Sequence, residues 1–179
     1  MENNRWVILG FMVSFIFFSS CEDLLDVTES FDYQHDFVIN TNTTEYNNTS
    51  VVILSEEESL IEDYGDKIKN IEVEQIMFWV KSHQGTNDQA LTEGTFSVAR
   101  ADGSDKSVIA YYENLNISDL VNNPMELDLN SDGINLLENL METSPFSLTL
   151  SLDGSVNEAP LDFTVTVEIT AKMTANPLN

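Results

Sequence analysis

Cysteine is almost missing from this 179-residue chain, whose one thiol is Cys21. No intrachain disulfide can form, and no cysteine cluster can hold a metal. Cations are scarce too: 7 Lys and Arg stand against 31 Asp and Glu, a formal charge of −24. Nucleic-acid binding is set aside, because a phosphate backbone needs clustered Lys and Arg. Histidine occurs twice, at His35 and His83, and only Asp36 beside His35 offers an adjacent acid. There is no Gly-x-Ser-x-Gly elbow, no glycine-rich phosphate loop and no His-Glu-x-x-His helix, so the usual hydrolase and nucleotide signatures are missing. No enzyme is expected on this evidence, although carboxylate pairs of the glycosidase kind meet only in the fold. The apolar stretch at the amino terminus, Trp6 to Phe18, is shorter than the roughly 20 apolar residues that cross a bilayer.

What is present begins with that stretch. Arg5 precedes it, and Ser19-Ser20 follow it directly before Cys21, which is the basic, apolar and small-residue order of an export signal. The expected organisation is a signal peptide over 1–20, an acidic tether over 21–30 and a single domain over 31–179. Setting aside Glu2 and Arg5 in the signal leaves 30 acidic and 6 basic residues in the mature part. Such charge, spread along the chain, reads as a self-repelling surface facing water or as attraction for a basic partner. The remaining length suits one domain with a buried core.

Alternation dominates the mature chain. Phe31, Tyr33, His35, Phe37 and Ile39 fall on one side of Ser30 to Asn40, the period of a half-buried strand. Thr41 to Ser50 is polar and predicts a loop, leading into the short β-branched run Val51-Val52-Ile53-Leu54. Ser55 followed three residues later by Glu58 predicts a capping box and a helix through Leu60, Ile61, Tyr64 and Ile68. Ile71 to Val80 predicts a central strand. Thr92 to Ala101 and Ser107 to Asn114 predict a hairpin turning at Asp102-Gly103. A short helix is expected at Ser118 to Asn122, a strand at Met125 to Leu129 and a helix over Ile134 to Glu142. Pro145 to Leu152 and Leu161 to Met173 alternate cleanly and predict a hairpin around a loop containing Asp153-Gly154. About eight strands with two or three short helices make a mainly antiparallel β-sandwich, with barrel closure as the other option.

The segment Phe18-Ser19-Ser20-Cys21 resembles a bacterial lipobox, with Phe18 where Leu is usual. The resemblance implies cleavage before Cys21 and covalent lipid on that residue, with no other cofactor. Glu22 and Asp23, opening the run to Asp26, are similar to the export signal that sends Bacteroidota lipoproteins to the outer face of the outer membrane; an acidic linker on the periplasmic leaflet is the other reading. With the alternating strands and the tail Thr170-Ala-Lys-Met-Thr-Ala-Asn-Pro-Leu, the chain resembles small flavobacterial outer-membrane lipoproteins. That resemblance implies a non-catalytic accessory subunit docked on an outer-membrane protein complex. A surface lipoprotein binding a glycan or other nutrient is the alternative, with Trp79, Tyr111 and Tyr112 as possible stacking rings.

One motif suggests a metal. Asp128, Asn130 and Asp132 followed by Gly133 place oxygens at alternate positions, as a calcium loop does. Position 12 of such a loop is Asn139 here, with Glu138 one residue early, and the other reading is a turn leading into a helix capped by Ser131 or Asp132.

Overall fold

The computed structural model describes residues 25–178, which form two four-stranded antiparallel sheets packed as a sandwich. The first sheet contains β1 (Val27–Thr41), β8 (Leu161–Ala175), β3 (Ile68–His83) and the two-residue β6 (Met125–Glu126), in that order. The second contains β2 (Glu45–Ile53), β7 (Ser147–Val156), β4 (Ala90–Arg100) and β5 (Ser107–Asn116). Alternation accounts for both faces. Along β8, Leu161, Phe163, Val165, Val167, Ile169, Ala171, Met173 and Ala175 all point inward and are buried. They meet Leu148, Leu150 and Leu152 of β7 and Phe96 and Val98 of β4 in one continuous core.

Three short helices complete the fold: α1 (Leu54–Glu57), α2 (Ser59–Tyr64) and α3 (Ser131–Glu142). The last places Leu137, Leu140 and Met141 in the core. It packs along β3 where that strand lacks a neighbour. The β3 amides of Ile71 and Val73 donate to the carboxylates of Glu142 at 2.6 Å and Glu138 at 2.8 Å. Helical spacing of four residues lets two glutamates on one face reach two amides two apart on a strand edge, since i and i+4 share a face. Gly133 permits the close approach to β5. A Cβ there would lie 2.2 Å from the Val108 carbonyl oxygen.

Several sequence expectations are corrected. The polar run Thr41 to Ser50 is largely strand: β2 starts at Glu45 and pairs with β7 from Glu45↔Ser155 to Ile53↔Ser147. Being an edge strand with one face in water, it buries only Tyr46 and Val52 fully, so its pattern looks polar throughout. The capping box does not form; α1 starts at Leu54 after an uncapped Ile53, and Ile68 belongs to β3. β7 and β8 are not a hairpin but lie in different sheets. Asp153-Gly154 sits within β7, opposite Thr95 and Gly94 of β4. Alternation reveals which face a strand buries and is silent about its neighbour. Strand pairing starts at Val27, so residues 27–30 of the expected tether are paired with β8. Met125 to Leu129 is strand only at Met125–Glu126, because the chain then crosses from β3 to β5.

Candidate functional site

That crossing creates a broad cleft. Asn122 donates to the Val80 carbonyl at 2.9 Å, Met125 and Glu126 pair with Phe78 and Met77, and Leu127 donates to the Ile76 carbonyl at 3.0 Å, so the segment follows the edge of β3. It then reaches the other sheet, where Leu129 bridges Ala110 and Asn130 donates to the Ile109 carbonyl at 2.7 Å. Between these attachments lies a cleft of about 770 Å³.

Its floor is apolar, made by Tyr112, Leu115, Met125 and Leu127. Glycine makes room for that floor. Gly94 and Gly154 are cross-strand partners, and a Cβ on Gly94 would come within 2.3 Å of the Tyr112 ring. Glycine inside a strand commonly marks such an approach. The Tyr112 ring stacks near Phe78 with centroids 5.1 Å apart, and its hydroxyl meets that of Tyr46 at 2.8 Å. It also donates to the Asp153 carbonyl at 3.3 Å. Burial raises the pKa of Tyr112 well above the usual phenol value, and burial likewise pushes Tyr46 up to about 12. Both phenols therefore stay neutral and serve as hydrogen-bonded packing groups.

The rim is acidic. Glu93, Glu113, Glu126 and Asp128 line it, all exposed, and none forms a salt bridge with another described residue. The fifth lining carboxylate, Asp153, is paired with Lys106 at 2.8 Å. Tyr111 stands beside them at 65% exposure.

A second ionisable group of residues lies on the opposite side of the sandwich. The Tyr33 hydroxyl and His35 Nδ1 are 3.2 Å apart, and His35 packs edge-on against Phe37 at 4.8 Å. Burial lowers the His35 pKa, partly offset by the negative charges of Glu57 and Asp36. Burial, reinforced by Glu57 and then Glu58, raises that of Tyr33. Asp36 is itself held below the ordinary carboxylate range. Burial pushes it up, but hydrogen bonds from Lys81 at 2.6 Å and Thr166 at 2.6 Å outweigh that effect. This cluster is packed between β1 and the α1 turn and opens onto no cleft shared with the acidic rim.

The residues singled out from sequence are dispersed. Cys21, Glu22 and Asp23 lie outside the described residues. Asp128 lines the cleft, whereas the Asn130 side chain caps α3 by accepting the Asp132 amide at 2.9 Å. Neither Ser131 nor Asp132 is the cap. Glu138 is committed to Val73, and among the described residues no group of three potential metal ligands converges. His83 Nε2 bonds Gln89 Oε1 at 2.8 Å. The three aromatics do not share a surface. Tyr112 is buried, Tyr111 is exposed at the rim, and half-buried Trp79 alternates outward from Phe78 and Val80 on the far face of the other sheet. Sequence reasoning missed the cleft, whose only local signs were the two glycines placed inside strands. Among the described residues no helix is long and apolar enough to cross a membrane.

No family model matches the sequence, and no curated protein matches it. Among solved structures, a chain of Desmodium yellow mottle tymovirus is similar at 9% identity, covering 86% of this chain and 91% of that one with a TM-score of 0.37. A chain of turnip yellow mosaic virus is similar at 11% identity, covering 83% and 81% with a TM-score of 0.37.

Proposed function

We propose that the chain is a lipid-anchored, non-catalytic interaction module, carried by Cys21 on the outer membrane, displayed at the cell surface and docked on an outer-membrane protein complex. The observation that carries this reading is the cleft: an apolar floor ringed by carboxylates, four of which have no cationic partner among the described residues. Its described polar contacts hold the floor in place, with the Tyr46 and Tyr112 hydroxyls facing each other. Glu93 and Glu113 face each other as cross-strand partners on the exposed rim, where no described side chain hydrogen-bonds either of them. A general acid or base needs a partner within hydrogen-bond reach, and solvent-facing carboxylates without one suit recognition better.

The short connection between anchor and domain supports an orientation. From Cys21 to Val27 the chain can span about 20 Å at full extension. Val27, Ile68 and Ala175 are neighbours at one end of the first sheet, so that end faces the bilayer. The cleft lies where Phe78 pairs with Val167, eight positions up β8 and about 26 Å from that end at the usual strand rise. Glu22 and Asp23 serve in this reading as the outward export signal. A glycan-stacking reading would draw on Tyr111 alone, since Tyr112 is buried in the cleft floor and Trp79 lies on the far face of the other sheet.

Native co-purification from membranes tests the proposal. The full chain should incorporate labelled fatty acid, require detergent for extraction and bring a stoichiometric membrane partner, and Cys21→Ala should abolish the label, since roughly 0.8 kcal/mol per buried methylene makes several acyl chains a permanent attachment. A strictly monomeric protein with no such partner would overturn the docking role.

A further inference from the structure

We infer that the cleft accepts an extended basic segment of a partner protein, added as a strand along the outer edge of β5. The inference rests on the reading of the chain as a binding module and names the chemistry of its partner. Three observations lead to it.

First, β5 pairs with β4 on one side only. On its other side the chain itself supplies a partial strand, bridging Ala110 through Leu129 and Asn130, and then leaves at Asp128. The Ile109 carbonyl points to that outer edge, and antiparallel alternation puts the Tyr111 carbonyl and both backbone groups of Glu113 on the same edge. Beyond the bridge, no described strand pairs with them. A small cation leaves such groups unmatched, whereas an added strand satisfies them, which is how sheet edges recognise peptides.

Second, the two faces of an added strand would meet different surroundings. Side chains turned inward would rest on Leu115, Met125 and Leu127, and those turned outward would pass Tyr111, Glu93 and Glu113. The fitting sequence alternates apolar and basic residues.

Third, the charge is one-sided. Glu93, Glu113, Glu126 and Asp128 have no cationic partner among the described residues, while the one lysine near the rim, Lys106, is held by Asp153. A second copy of a chain with formal charge −24 would be repelled, and an acidic partner likewise.

The test uses the full lipidated chain in neutral detergent micelles and a fluorescent, end-blocked octapeptide alternating Lys and Val, followed by anisotropy. The Lys–Val peptide should bind, and its Glu–Val counterpart and a version with central prolines, which cannot pair with an edge, should bind at least about tenfold more weakly. Glu113→Lys with Glu126→Lys should weaken binding by about tenfold or more, whereas Glu72→Lys with Glu74→Lys, on the exposed positions of β3, should leave it within about twofold. Equal effects of the two double reversals would show attraction to net charge alone and overturn the inference, as would equal binding of the proline peptide or no binding. The two levels separate cleanly in membranes. A stoichiometric partner retained by Glu113→Lys/Glu126→Lys contradicts the cleft inference and leaves the module reading intact, whereas no partner with the unaltered chain contradicts the module reading itself.

Discussion

The two strands that bound the open side of the sandwich treat their outer edges differently. β3 is covered from Ile71 to Val80: Glu142 and Glu138 take the Ile71 and Val73 amides, β6 pairs with Met77 and Phe78, and Asn122 and Leu127 donate to the Val80 and Ile76 carbonyls. Among the described residues β5 is covered only in its first half, by Leu129 and Asn130, and its second half faces the cleft. An uncovered edge invites pairing with another chain, and proteins generally blunt it. Here one segment, residues 121–130, closes one edge and in crossing over leaves the other open. The molecule thus has the means to cover a strand edge with side chains and turns, and at β5 it surrounds the edge with carboxylates instead.

Breaking the covered edge should have the largest effect. Replacing Glu138 and Glu142 by Leu strands two backbone amides beside buried residues, at a cost of about 1–3 kcal/mol for each; urea unfolding should show the loss, and Gln at both positions, which keeps an acceptor oxygen, should recover much of it. If the Leu pair is as stable as the parent, the glutamates do not cover β3.

Next is the floor of the open edge. Gly94→Ala places a methyl group within 2.3 Å of the Tyr112 ring, so the ring must leave its place and lose the Tyr46 hydroxyl. A destabilisation of about 1–3 kcal/mol is expected from such overpacking, with a changed near-ultraviolet tyrosine signal. An unaltered signal and stability would mean that Tyr112 is not held there.

The side remote from the cleft supplies a pH-dependent contrast. The His35 pKa is lower in the folded chain than the ordinary value of 6.5, so the unfolded chain binds more protons as pH falls. Its contribution is therefore present above about pH 6.5 and is lost on acidification through the folded value. Asp36, also lowered, acts in the same direction only below its ordinary value of 3.8. Glu58 is raised, chiefly by burial and then by Glu57 and Asp32, so its contribution has the opposite sign and is lost as pH rises. Between pH 7 and 5, His35→Gln should lose less melting temperature than the parent, measured by circular dichroism; parallel curves would contradict the role given to burial of the imidazole.

The smallest effect is expected at the open rim. Glu113→Lys touches no described ion pair and should change stability by no more than about 0.5 kcal/mol, although it should impair binding.

How much of this could be read from sequence follows from what alternation records. β1 and β8 were legible because each buries one complete face, from Phe31 to Ile39 and from Leu161 to Met173. β2 was not, because at a sheet edge Asn47, Thr49 and Val51 face water and leave Tyr46 and Val52 as the only buried pair. The sandwich was expected correctly from strand count, while the β7–β8 pairing was not, since a clean inward face says nothing about which sheet a strand joins. The Asp128 to Glu138 oxygens looked like a metal loop in one dimension; in space Asn130 caps α3 and Glu138 faces β3. The cleft was illegible for a related reason. It assembles residues 93–95, 111–115 and 125–128 through the crossing segment, and no local period encodes where a chain leaves one strand for another.

Amide hydrogen exchange on the free, full-length protein tests the contrast between the two edges most directly. The account predicts that the Ile71 and Val73 amides exchange only with global unfolding, while the Glu113 amide exchanges orders of magnitude faster, with protection appearing when the Lys–Val peptide is added. Equal protection of all three amides in the free protein would contradict it, because β5 would then already have its partner.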